Sequence, residues 1–376
     1  MKNIMKIMLA LLTSVSMISS ATAGELTVTG SAKATYNILS GGVVAGGNQN
    51  KGVGLTNEID FGAKGELDNG YTYNFQLQFD PGAASDGNKS GIDDQRLEIT
   101  TPQGTVGFYI QEGGLDVDNS GSQSVYARPT DMAIASGIFD GPGIDAFNNI
   151  QLHTPAGLLP YGMSVKGAVA PGSDGRLNSA NAAGIQSKGE ANHFNGDMAY
   201  QVQVTAAPMD GFNLGADYYS ENGAGNATER VIQKAEAGSV FATYAMGPAS
   251  FGISRTLRTP LILATAAATS AAQTNSAISN TGATEGNKNS ARLYTNDKYS
   301  VAYNVNDSLS VSYEREDSNQ EVIANAAEYD IKAEAVQAAY TMGGMTLSVS
   351  HGTTSNIGYA QANDTTLTLF AMNMAF

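Results

Sequence analysis

The feature that most restricts this chain is a period of two that recurs along most of its length. Leu26, Val28, Gly30, Ala32, Ala34 and Tyr36 alternate with Thr27, Thr29, Ser31, Lys33 and Thr35, and Tyr71, Tyr73, Phe75, Leu77 and Phe79 alternate with Thr72, Asn74, Gln76 and Gln78. Successive side chains of a strand point to opposite faces, so each segment has one apolar and one polar side. Similar segments recur at 106–110, 198–206, 212–218, 299–305 and 309–313. Amphipathic helical spacing is hard to find anywhere after the first two dozen residues.

The connections fall into two lengths that alternate. Short ones are Asp68-Asn69-Gly70, Pro102-Gln103-Gly104, the stretch 155–160, Pro208-Met209-Asp210-Gly211, Gly247-Pro248, Asn306-Asp307 and Gly343-Gly344, all rich in turn-forming residues. Long polar ones lie near 41–51, 80–91, 113–146, 171–190, 222–231, 259–290, 317–328 and 355–363. Together they separate about sixteen strands, with both chain ends on the short-turn side. The fold expected is all-β: a transmembrane antiparallel β-barrel with short periplasmic turns and long outer loops. In lipid every backbone N–H and C=O must be paired within the protein, so a spanning sheet has to close on itself. A soluble β-sandwich also alternates, but its connections are less regularly of two sizes.

Composition fits this reading. Two alternating faces average to a mean hydropathy of −0.17, which is no obstacle to a membrane barrel. The 376 residues contain no cysteine, which excludes a disulfide scaffold, a cysteine nucleophile and thiolate metal sites. The formal charge of −15 disfavours a nucleic-acid partner. At the N-terminus, Lys2 and Lys6 precede an apolar run from Ile7 to Ile18 and then Ala21-Thr22-Ala23. That is the three-part pattern of a cleaved secretory signal over 1–23, too short to span a bilayer as a helix. The expected mature chain, 24–376, is a single barrel, and loss of Lys2 and Lys6 takes the formal charge from −15 to −17.

The last strand places Phe370, Met372, Met374 and Phe376 on one face. A terminal aromatic with alternating apolar residues resembles the signal read by the outer-membrane barrel assembly machinery. With Leu26-Thr27-Val28-Thr29-Gly30, the segment from Phe61 to Tyr71 (FGAKGELDNGY) and Gly104-Thr105-Val106-Gly107-Phe108 before a long loop, the chain resembles a general diffusion porin of Gram-negative bacteria. The resemblance implies a sixteen-stranded barrel in the outer membrane and a homotrimer. It also implies contact with membrane lipid and lipopolysaccharide, and a third outer loop, 113–146, folded into the pore.

Selectivity in a wide pore comes from its radius and the charge lining its constriction. The third loop and its entry supply Glu112, Asp116, Asp118, Asp131, Asp140 and Asp145. The polar parity of the strands supplies Lys33, Lys64, Arg96 and Lys166 as a basic wall, with the acids expected to face it across the lumen. The expected function is passive diffusion of small hydrophilic solutes and ions through a cation-preferring pore. The alternatives are an exported surface-structural or adhesin-type barrel without an open pore, and a substrate-selective channel. No enzymatic motif is present: His153, His193 and His351 form no metal or catalytic pattern and read as solvated or lumen-lining. No cofactor is expected. The segments beginning at Asp86 and Asp116 faintly resemble calcium loops, with Asp86, Asn88, Asp116 and Asp118 as the oxygen donors, but Leu97 and Ala127 stand where the twelfth-position Glu belongs.

Overall fold

Each strand of the barrel hydrogen-bonds to its chain neighbours, and the ring is closed by pairing the first strand with the last. The computed structural model describes residues 24–41, 50–79, 92–110, 112–132, 137–171, 198–221, 229–260, 262–265, 291–322 and 329–376. Residues 1–23, where a leader is expected, most of the loops near 80–91 and 171–190, and with them Asp86, Asn88 and His193, lie outside these residues.

The strands are β1 (Glu25–Gly41), β2 (Asn50–Glu66), β3 (Thr72–Phe79), β4 (Ile92–Thr101), β5 (Gly104–Ile110), β6 (Asn149–His153), β7 (Ser164–Ala170), β8 (Ala199–Met209), β9 (Phe212–Glu221), β10 (Glu229–Gln233), β11 (Ala235–Met246), β12 (Ala249–Thr259), β13 (Ile262–Thr265), β14 (Ala291–Asn304), β15 (Leu309–Val322), β16 (Ile331–Met342), β17 (Met345–Ser355) and β18 (Thr365–Ala375). All but β10 and β13 belong to one closed antiparallel barrel of sixteen strands. The short connections fall where their turn residues require. At Asp68-Asn69-Gly70, for example, Gly70 takes φ of +80° and the Leu67 N–H donates to the Tyr71 carbonyl at 2.7 Å.

The alternation sorts side chains as a barrel in lipid demands. Leu26, Val28, Phe61, Phe75, Val202, Tyr244, Phe251, Ile253, Val301, Tyr340 and Met372 all point outward and are exposed. Their strand neighbours, Thr27, Gln76, Gln203, Ser254 and Ser300 among them, point into the lumen. At the seam, Phe376 donates its N–H to the Gly30 carbonyl at 3.0 Å and accepts from the Gly30 N–H at 2.8 Å. Its ring lies against Gly30, where a Cβ would come within 2.7 Å of it. Phe370, Met372, Met374 and Phe376 share the outward face.

Three expectations need correction. The stretches 222–231 and 259–290 read as plain loops, yet β10 and β13 pair with each other as a two-stranded ribbon. The polar stretch 317–328 is strand as far as Val322, because its acids and amides occupy both faces of β15 above the apolar zone. His351 does not line the lumen: the register sets it opposite the outward Val336, and its ring bonds Thr368 at 2.9 Å. Wall height is uneven, since β5, β6 and β7 have only 7, 5 and 7 residues whereas β1 and β2 have 17 each.

Candidate pore constriction

Residues 112–132 and 137–148, between β5 and β6, have an irregular backbone that offers no ladder for its N–H and C=O groups. The barrel wall supplies the partners instead. Val117 N–H donates to Asp217 Oδ1 (3.1 Å), Gln123 N–H to Ser300 Oγ (3.0 Å), Val125 N–H to Ser312 Oγ (3.0 Å), Tyr126 N–H to Gln337 Oε1 (3.0 Å) and Ile144 N–H to Gln201 Oε1 (2.9 Å). In the other direction Gln203 Nε2 donates to Leu115 O (3.0 Å), Ser254 Oγ to Asp118 O (2.7 Å) and Ser318 Oγ to Ile138 O (2.7 Å). These donors and acceptors are inward residues of β8 through β16, so the loop lies against one half of the wall. Small wall residues make room for its large ones. Leu115, Ile144 and Phe147 pack on Ala168, Ala170, Ala199 and Ala237; Met132 packs on Ala335, and Phe139 on Ala333.

Buried charge fixes the middle of the loop. Lys298 of β14 and Glu316 of β15 are register partners, with side chains 2% and 0% exposed. Lys298 Nζ lies 2.7 Å from Asp140 Oδ1 and 3.6 Å from Glu316 Oε2. Arg128 reaches Asp131 at 2.7 Å, Asp140 at 2.9 Å and Glu316 at 3.5 Å. Asn119 Oδ1 accepts from both cations. Two cations among three carboxylates in a site shielded from water interact far more strongly than the same pairs on a surface. Burial alone would raise the Asp140 carboxyl, but hydrogen bonds from Arg128 and the charge of Lys298 bring it down to about 2.

The six loop acids are not equivalent. Glu112 is held by Arg96 at 2.9 Å. Asp131 and Asp140 belong to the Arg128 cluster. Asp116 and Asp145 lie side by side, both half-buried; burial raises each carboxyl, and the charge of Asp145 adds to the rise at Asp116. Asp118 does not line the water and is a correction: it is wholly buried, and its Oδ2 accepts the Gly141 N–H at 2.9 Å. Burial pushes its carboxyl up to about 7, with Lys298 opposing and Asp140 and Asp116 adding to the rise. A carboxyl whose docked pKa exceeds its free value of 3.8 favours docking fully below that value, and the favour is lost as pH rises to about 7. Open-channel current noise should therefore grow between roughly pH 4 and 7. Asp118→Asn should flatten that trend, and a profile identical to the parent's would refute the assignment.

Of the four bases, Lys33, Arg96 and Lys166 point inward. Lys33 Nζ stands 5.9 Å from the Tyr126 ring centroid, linking β1 to the loop. Lys166 is the register partner of the inward His153. Lys64 also points inward but is paired with Glu25, two residues from the end of β2, so it sits at the short-turn mouth and not level with the loop. Arg96 is bound to a loop acid instead of facing one across open water. The inner face of β2 to β4 also carries acids: Gln78 donates to Glu58 at 2.8 Å, Gln76 to Asp60 at 3.0 Å and Asn74 to Glu98 at 2.8 Å. Arg128, Lys298, Glu314, Glu316 and Asp217 were missed from sequence. Strand parity carried the signal for all but Arg128, since outward Tyr299 and Tyr313 force Lys298, Glu314 and Glu316 inward. Among the described residues no group of three acidic or histidine side chains is placed to hold a metal ion.

The geometry has relatives. The chain aligns with an anion-selective porin from Comamonas acidovorans at a TM-score of 0.60 and 14% identity, covering 94% of this chain and 100% of that one. It aligns with Salmonella typhi OmpF in complex with daunomycin at 0.59 and 13%, covering 94% and 98%. A porin refined at 1.8 Å resolution matches at 0.58 and 12%, covering 94% and 100%. At these identities the likeness is one of fold. No curated protein matches the sequence. The sequence model of the Gram-negative porins matches residues 8–272, more than half of the chain, and the protein belongs to that family.

Proposed function

We propose that this porin is a water-filled, cation-preferring pathway for small hydrophilic solutes and ions. Membership in the family makes it a passive channel of the outer membrane. The sign of its selectivity is read from where its charges go. Arg128 and Lys298 are consumed by ion pairs behind the loop, and Arg96 is paired with Glu112. Among the described residues Asp116 and Asp145 have no basic partner, and the wall bases share their face with Glu58, Asp60 and Glu98. An uncompensated acidic lining concentrates cations where the pore is narrow. Fold alone does not decide the sign, since one neighbour is described as anion-selective.

In planar bilayers under a tenfold KCl gradient, the reversal potential should have the sign of potassium selectivity. Asp116→Asn with Asp145→Asn should move it toward zero, and chloride selectivity in the parent would overturn the proposal. The family resemblance supports a homotrimer, for which closure of single insertions in thirds is the test.

A further inference from the structure

The inward wall aromatics Tyr109, Tyr219 and Tyr294 are buried, but Phe241 is not. It is an inward residue of β11, one inward position beyond Ser239 toward the turn at Gly247–Pro248. Its register partner on β9 is Gly215, where a Cβ would come within 2.6 Å of the ring's Cε1. The glycine thus lets the ring lie down along the wall instead of standing out from it. Beside it is an open cavity of about 560 Å³, bordered by Ser120 of the constriction loop and lined by Thr205, Asn213, Phe241 and Thr243 together with Ala206, Ala207 and Leu214. Gly162 of the turn before β7 borders it on the short-turn side.

This patch combines an open aromatic face with an uncharged rim. The inward residues at its level on β8, β9, β11 and β12 are Thr205, Asn213, Gly215, Phe241, Thr243, Ser250 and Gly252, and none is charged. The next inward residue above Gly215 is Asp217, which already accepts from Val117 N–H and Gln201. Asn213 Nδ2 donates to Thr243 Oγ1 at 3.4 Å, so amide and hydroxyl groups stand close together next to the ring. An aromatic face has negative charge at its centre and attracts weakly positive C–H groups. Hydroxyl and amide groups at its rim offer donors and acceptors to hydroxyls. A ligand suited to both has an apolar C–H face, hydroxyls around its edge and no net charge.

We propose that Phe241, with Asn213, Thr243, Thr205 and Ser120, forms a subsite for a neutral pyranose ring on the short-turn side of the constriction. The subsite rests on the channel reading above and adds to it a class of solute that dwells in the pore.

The test is ion current through bilayer-inserted protein with methyl β-D-glucopyranoside, against sorbitol at equal concentration. Sorbitol has comparable hydroxyls but no ring face. The pyranoside should depress the current saturably, and sorbitol only in proportion to bulk conductivity. Phe241→Leu keeps an apolar cover over Gly215 but removes the π face, and it should weaken the block several-fold, up to about tenfold, while leaving ion conductance unchanged. Phe241→Ala, which removes the ring altogether, should do the same. Equal depression by both solutes in the parent, or saturable block that survives in both variants, overturns the subsite. Folded parent protein that passes no ion current would overturn the channel reading instead.

Discussion

Lys298→Met is expected to release the constriction loop while the barrel remains folded. Lys298 is buried between Asp140 and Glu316, and its removal leaves Glu316, which is wholly buried, with Arg128 at 3.5 Å as its remaining cation. Removing one partner of a buried ion cluster costs about 3–5 kcal/mol, because the remaining charge has lost its water without compensation. That is enough to compete with the hydrogen bonds holding the loop, each worth about 0.5–1.5 kcal/mol net. The absence of native cysteine makes the measurement clean. Val117→Cys introduces a single thiol at a position that is 1% exposed, so maleimide can reach it only when the loop lifts. Adding Lys298→Met should speed labelling on the order of a hundredfold or more, since each 1.4 kcal/mol is a factor of ten. The same variant should show larger and noisier unitary currents. Lys298→Arg, which keeps the charge, should stay within a few-fold of the parent. Unchanged labelling in Lys298→Met would mean that the apolar anchors Leu115, Ile144 and Met132 hold the loop without help from charge.

The second large effect concerns the seam. Deleting Phe376 removes both backbone hydrogen bonds to Gly30 and the ring that covers it. In refolding into lipid vesicles, the shortened chain should lose about 1–3 kcal/mol by urea titration and give a lower yield of the heat-modifiable form on gels. Phe376→Leu keeps the backbone bonds and should lie much nearer the parent. Vesicles contain no assembly machinery, so this comparison isolates closure of the ring. If the terminal aromatic is also a recognition signal, Phe376→Leu should lower outer-membrane levels in cells far more than it lowers stability in vesicles. A loss confined to vesicles would show that the residue acts only at the seam.

The barrel was legible because alternation and turn residues are local signals. Tyr73, Phe75, Leu77 and Phe79 declare a strand face without reference to any other part of the chain. The seven short turns fall where Gly, Pro, Asn and Asp cluster. The constriction was legible only in outline, because its chemistry depends on register between distant residues. Nothing near Asp140 in sequence reveals that Lys298 lies 2.7 Å away, on a strand more than 150 residues later. Asp118 and Asp116 look alike in sequence, yet one is sealed against the wall and the other half-exposed, because the loop backbone turns between them. Parity could have placed Lys298 and Glu316 in the lumen, but which of them the loop would cover required the fold.

The low wall along β5 to β7 has a consequence for the surrounding bilayer. Five residues of β6, rising ~3.3 Å each at a tilt near 45°, climb only about 12 Å, less than half of a hydrocarbon core near 30 Å thick. Lipid beside this arc must compress or tilt its chains to meet the protein, at fractions of a kcal/mol for each ångström of mismatch. The strain is one-sided, since β1, β2, β14 and β15 rise much further. The barrel therefore sits in an elastically asymmetric membrane, and a neighbour seated against the β5–β7 arc would relieve distortion as well as bury surface.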